Sequence, residues 1–198
     1  MYSILAGIVI SFGCIIFLQV GGVLGATMFS IGLITVLILK LNLFTGKAGL
    51  LATNQITWWQ LILIWIGNFY GCAMMAAAIM LTPLGASLGT SAAAIAAIRL
   101  ANGPLANLIL GICCGALMSI AVGLFGKKDN PLYAIMPVTT FICSGYNHCV
   151  ADMFYFSVCG ASPWVWLTLL PTTLGNILGC YLIPAIQNWH ENNYPHEK

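Results

Sequence analysis

The sequence predicts an all-α membrane protein with six transmembrane helices, arranged as two inverted three-helix repeats whose second and fifth helices are broken. Three observations carry that prediction. Apolar residues make up 61% of the 198-residue chain and charged residues only 5%, whereas a soluble domain carries about 25% charged residues. The polar surface needed to face water is missing. The apolar runs are long and rich in Leu, Ile, Ala and Gly, which suits helices and not the short alternating strands of a membrane barrel. A heptapeptide pattern also recurs, once in each half of the chain, the two copies matching at five of seven positions with Ile and Leu counted alike.

A span takes about 20 apolar residues, so the length accommodates about six. They are expected at Tyr2–Val20, Val23–Ala52 (interrupted), Thr57–Leu81, Arg99–Phe125, Pro131–Cys159 (interrupted) and Pro163–Trp189. The joints are "QVGG", "TNQIT", "TPLGASLGTS", "GKKDNP" and "GASP". A single transmembrane domain then covers 1–189, with repeat one over about 1–82, repeat two over about 91–189, and a polar tail over 190–198. The start, "MYSILAGIVISFG", lacks a basic flank and an A-x-A cleavage site, so it reads as a first span and not a signal peptide. Lys127, Lys128 and Lys198 share a side of such a six-span chain. The positive-inside rule puts that side, and both termini, in the cytoplasm of a multi-pass cell-membrane protein. Trp58, Trp59, Trp164 and Trp189 fall near span ends, as interfacial belt residues do. The eight cysteines include no CxxC; they read as small buried hydrophobes, and no metal or other cofactor is expected.

The repeated unit is "IGNFYGC" (Ile66–Cys72) and "LGNILGC" (Leu174–Cys180), which pairs Gly67 with Gly175, Asn68 with Asn176, Gly71 with Gly179 and Cys72 with Cys180. The copies fall in spans three and six. Three is odd, so the second unit enters the membrane from the opposite side, as in transporters and some channels whose path lies between the halves. Small-xxx-small spacing lets helices approach closely, and each asparagine can then bond a neighbouring backbone. Spans two and five are interrupted at "LNLFTGK" (Leu41–Lys47) and "CSGYNH" (Cys143–His148). Unpaired backbone groups at membrane depth are tolerated only in buried or water-lined places, so the two breaks are expected face to face near the midplane.

His148, beside the Ser144–Gly145 break, is an ionisable group inside a span and thus a functional candidate, although a lone histidine on an apolar face is often just a satisfied core residue. Its ring can donate a hydrogen bond to a passing anion. Thr45, with Gly46 beside it, is its symmetry partner, or else a threonine bonding its own preceding turn. Lys47 follows a broken helix, where a charge needs water or a partner; it is expected toward the inner mouth. Asp152 lies one helical turn after His148. It could pair with Lys47, hold the His148 ring, or face another subunit.

These residues resemble the formate/nitrite transporter family. The resemblance rests on "LFTG" (Leu43–Gly46), "LGICCGALMSIAV" (Leu110–Val122), "MPVTTFICSGYNHCVADMF" (Met136–Phe154) and "LPTTLGNILG" (Leu170–Gly179), in order along nearly the whole chain. It implies membrane homopentamers that pass small monovalent anions or their acids, one pore per subunit. His148 would be the central pore histidine, with apolar rings above and below it matched by Leu43, Phe44 and Phe141; such constrictions gate by excluding water. The family's outer-vestibule lysine falls on Arg99, at the expected outer end of span four, where it draws anions to the mouth or anchors the helix at the interface. Departures accompany the match. The family's amphipathic helix before the first span is not seen, and Asn42, Asn147, Asp152 and Gly115 stand where it has other residues.

Together these readings predict a passive or proton-linked channel for small monovalent anions such as formate, nitrite or hydrosulfide, with a proton as co-substrate, the bilayer as surroundings and no nucleic acid. An aquaporin-like channel for neutral solutes shares the inverted plan, but its paired N-P-A loops are absent. A redox or metal enzyme fits poorly, since His148, His190 and His196 are badly placed for one cluster.

Overall fold

The computed structural model describes residues 1–128 and 130–193, without the side chains of Lys127 and Lys128. The expectations resting on Lys127, Lys128, Lys198 and the residues from 194 onward lie outside what is described. The described residues form helices joined by short turns and breaks, with no strand among them.

Helix α1 (Tyr2–Val20) stops at Gly21, whose φ of 66° lets its N–H close back on Phe17 O. Helix α2 (Gly22–Ile38) starts immediately and ends at Leu39, followed by Lys40 at φ 52°. The chain resumes with the short α3 (Phe44–Ala48) and a 3-10 turn over Gly49–Thr53. Helix α4 (Trp58–Met80) opens on a capping box in which Thr57 and Gln60 satisfy each other's backbone N–H. After the long α5 (Gly85–Lys128), α6 (Leu132–Cys143) and α7 (Cys149–Val158) are separated by the second break. The chain closes with α8 (Pro163–Leu167) and α9 (Leu169–Asn193).

One expectation about an element boundary is corrected. The segment "TPLGASLGTS" is not a joint leading to a span that begins at Arg99, because helix runs from Gly85 onward and α5 is bent at Gly103 (φ 72°) before Pro104. The run "SAAAIAAIRLAN" is alanine-rich, and Ala is the best helix former; the break sits where Gly supplies a positive φ and Pro suits a helix's first position. Arg99 therefore belongs to the first half of α5, residues 85–102, and not to the span that follows. Helix α9 extends to Asn193, so the described part of the expected polar tail, His190 to Asn193, is helical.

Among the described residues, four helical stretches are long and apolar enough to cross a membrane: Tyr2–Val20, Trp58–Met80, Gly85–Gly126 and Pro163–Asn193. Large apolar side chains such as Trp59, Tyr70, Leu105 and Leu170 are exposed, as a lipid- or subunit-facing surface requires. Two pairs of these helices meet at backbone distance. A Cβ on Gly7 or Gly71 would overlap the carbonyl oxygen of Asn68 or Ile4, and one on Gly115 or Gly179 that of Asn176 or Ile112. Helices packed so tightly need small residues at the crossing. At the centre lies α7, with every residue buried except Ser157. A short helix buried all round is a core element, and it brings His148 and Asp152 into the middle of the bundle.

Candidate functional site

The two breaks are held by the two repeated asparagines in the same way. Asn68 Oδ1 accepts the Phe44 N–H that opens α3 (2.8 Å), while its Nδ2 donates to Ser3 O (2.8 Å) and Asn42 O (2.9 Å). Asn176 Oδ1 accepts the Cys149 N–H that opens α7 (2.8 Å), and its Nδ2 donates to Gly111 O (2.9 Å) and Asn147 O (2.8 Å). Gly67 and Gly175 belong to the strips that let these asparagines in: a Cβ on Gly67 would meet Ser3, and one on Gly175 the Leu108 carbonyl. The cysteines repeat the pattern across the halves. Cys72 Sγ donates to Gly7 O and Val150 O, and Cys180 Sγ to Gly115 O and Thr45 O.

The breaks deliver Thr45 and His148 to each other. Thr45 Oγ1 and His148 Nε2 are 3.0 Å apart, and both residues are buried. His148 caps α7, with Nδ1 accepting the Ala151 N–H at 3.2 Å. A neutral imidazole whose Nδ1 accepts carries its proton on Nε2, so Nε2–H donates to the threonine oxygen. Phe141 stacks on the imidazole (centroids 5.6 Å, planes 17° apart) and meets Phe29 edge-on at 6.1 Å.

A cavity lies on each side of this pair. One, of about 180 Å³, is lined by His148, Phe141, Gly145, Tyr146, Arg99 and Asp152, with Phe17, Phe29, Ile95 and Ile98 completing its wall. The other, of about 170 Å³, reaches Thr45 and Gly46 and is bounded by Ser119, Val122 and Pro184. Lys47 lines neither; it borders a separate polar recess with Ser3, Asn42, Gln55 and Gln60. Leu43 and Phe44 are buried at the start of α3 and Ser144 is exposed, and none of the three lines either cavity. Gly145 holds the second break open at φ 72°.

Arg99 is buried beside Asp152, with Nε donating to Oδ1 at 3.3 Å. That decides what three sequence readings left open: Asp152 pairs with neither Lys47 nor the His148 ring, and its face is turned inward. The Arg99 carbonyl accepts Asn107 Nδ2 (2.7 Å), and Asn107 Oδ1 accepts Asn147 Nδ2 (2.8 Å). This buried amide chain ties the α5 bend to the second break. Sequence reasoning missed Asn107, Phe17, Phe29, Ile95 and Ile98. The spacing of Ile95, Ile98 and Arg99 was the available signal, one helical face, hidden by treating the alanine run as a joint. Among the described residues no cluster of His, Cys, Asp or Glu could hold a metal ion.

Comparison with known proteins places this geometry. The formate channel FocA of Haemophilus influenzae is 30% identical over 78% of this chain and 69% of its own length. The nitrite transporter NirC of Escherichia coli is 26% identical over 95% of this chain and 81% of its own. Among solved structures, a pentameric formate channel with formate bound superposes with a TM-score of 0.76 at 25% identity, covering 98% of this chain and 96% of that one. An ion channel of the same family gives 0.80 at 25% identity, covering 95% and 87%. These relatives are channels and transporters rather than enzymes. The formate/nitrite transporter family matches residues 1–190, and with the apolar helices and the paired breaks already described, the chain belongs to that family of membrane proteins.

Proposed function

We propose that this chain is a passive or proton-linked channel for small monovalent anions or their conjugate acids, of the formate, nitrite or hydrosulfide class, with one pore per subunit of a homopentamer. Residues 1–189 form one transmembrane domain built of two inverted three-helix repeats. In that arrangement α1 corresponds to the second half of α5, the α2–α3 pair to α6–α7, and α4 to α9. The matched bonds of Asn68 with Asn176 and of Cys72 with Cys180 support the correspondence. The chain sits in the cell membrane with both termini in the cytoplasm.

The observation that carries the function is the Thr45–His148 bond between two cavities. Moving a bare anion through so apolar a waist is expensive, whereas its neutral acid crosses far more cheaply. The waist offers what such a solute needs: an Nε2–H to donate and a threonine hydroxyl that donates or accepts. Because Nδ1 is already committed to Ala151 N–H, His148 acts by donating a hydrogen bond at Nε2 while α7 keeps its cap. Phe141 supplies the apolar constriction on the imidazole side, and Leu43 and Phe44 back Thr45 on the other. Lys47 gathers anions at the inner recess.

Flux of formate into proteoliposomes carrying His148→Phe tests this. Loss of a hydrogen-bond donor to a neutral solute costs about 0.5–1.5 kcal/mol, so the rate should fall roughly two- to tenfold. An unchanged rate and pH dependence would sink the reading. Osmotic swelling without flux of formate, nitrite or hydrosulfide would instead identify a channel for neutral solutes.

A further inference from the structure

The outer-vestibule cation that the family resemblance led us to expect at Arg99 is not a free charge. Its guanidinium is buried in the cavity next to His148, and Nε–H donates to Asp152 Oδ1. No other group among the described residues accepts from the guanidinium. Asp152 is 1% exposed, and its Oδ2 is enclosed without any hydrogen-bond partner. One of its two carboxyl oxygens is thus left without a donor. The titratable or charged side chains in the cavity wall are Arg99, Asp152, His148, Tyr146 and Tyr155, brought there by α5, α7 and the second break. Arginine and aspartate cancel, and the rest add no formal charge when neutral.

We propose that the Arg99–Asp152 pair makes this cavity a selecting site for the uncharged form of the substrate, with Asp152 as the specificity-determining residue. The guanidinium N–H groups not engaged by Asp152 donate to a carbonyl-type oxygen or to sulfur, as a vestibule cation would. The aspartate beside them withdraws the net positive charge that would otherwise trap an anion, and in a buried cavity that difference is screened less than it is in water. A small acid such as formic acid, nitrous acid or hydrogen sulfide carries a dipole and no charge, so it keeps the donor and meets no repulsion. A permanent anion of similar size loses its hydration and finds no compensating field. This rests on the channel reading above and adds which protonation form the outer cavity accepts.

The test compares two fluxes in one set of proteoliposomes: uptake of formate, and electrogenic conductance to nitrate, an anion that is not protonated at working pH. In the unsubstituted protein formate uptake should proceed with nitrate conductance near that of protein-free vesicles. Asp152→Asn should raise the ratio of nitrate conductance to formate uptake at least tenfold. Asp152→Glu should keep the original ratio, and Arg99→Gln combined with Asp152→Asn should return nitrate conductance to the low level. An unchanged ratio in Asp152→Asn, or a double variant as conductive as the single one, overturns the proposal. Should Asp152→Asn fail to assemble, the unsubstituted protein still decides, because equal passage of nitrate and formate overturns the proposal without any variant. Vesicles that pass none of formate, nitrite and hydrosulfide overturn the channel reading itself. Vesicles that pass formate and nitrate alike overturn only the role of the pair.

Discussion

Asn176→Leu should leave no assembled protein. Leucine matches asparagine in size, so the loss isolates the hydrogen bonds. Asn176 Oδ1 is the partner of Cys149 N–H at the start of α7, and Nδ2 is the partner of the Asn147 carbonyl within the break. Both backbone groups belong to fully buried residues, Asn147 and Cys149. A buried polar group left unpaired costs about 1–3 kcal/mol, so the pair costs about 2–6 kcal/mol. Stability of a typical domain is only about 5–15 kcal/mol. The damage also spreads, because α7 is the buried centre of the bundle and its first turn carries His148. Asn68→Leu should act similarly through Phe44 N–H and the Asn42 carbonyl. Size-exclusion chromatography of the detergent extract checks both; a normal oligomer peak at normal yield for either variant contradicts the argument.

Gly115→Asn should be nearly as damaging, although it introduces the residue type of the family's fourth-span pattern. A Cβ at Gly115 would overlap the Asn176 carbonyl oxygen and stand 2.9 Å from the Cys180 nitrogen. Both are backbone atoms of α9, which cannot rotate aside as a side chain can. The second half of α5 would have to move away from α9, and Asn176 would lose its grip on the break. Overpacking of a well-packed core costs about 1–3 kcal/mol and sometimes more, which corresponds to a drop in melting temperature of about 2–12 °C for a chain of this size. Gly123→Asn is the control on the same helix, since nothing lies within 4 Å of a Cβ there. The two variants melting alike would remove the argument. Gly115 is closed to any side chain, and the Asn147 amide donates to Asn107 Oδ1.

The large features of the fold were legible because they depend on local chemistry. A broken span must interrupt an apolar run, so "LNLFTGK" and "CSGYNH" stood out, and the repeated Gly-Asn pairs marked where helices touch. The helix over residues 85–102 was not legible by the same rule. Its Gly, Ser and Thr content resembles a joint, and only the strong helix preference of "SAAAIAAIRLAN" spoke against that. Misplacing that helix misplaced Arg99, and with it the partner of Asp152. A salt bridge between residues 53 positions apart leaves no spacing signal. Thr45 and His148 were readable as a pair through the repeat, whereas Phe29 and Ile95 are ordinary apolar residues whose place on the cavity wall depends on tertiary packing alone.

The bond between Thr45 and His148 also says how firmly the proposed path is shut at rest. A neutral internal hydrogen bond nets about 0.5–1.5 kcal/mol. Thermal motion then parts the two groups for roughly a tenth to a third of the time, taking about 1.4 kcal/mol as a factor of ten. On the proposed path this bond alone is a turnstile and not a lock, and firmer closure rests on the apolar constriction beside it at Phe141.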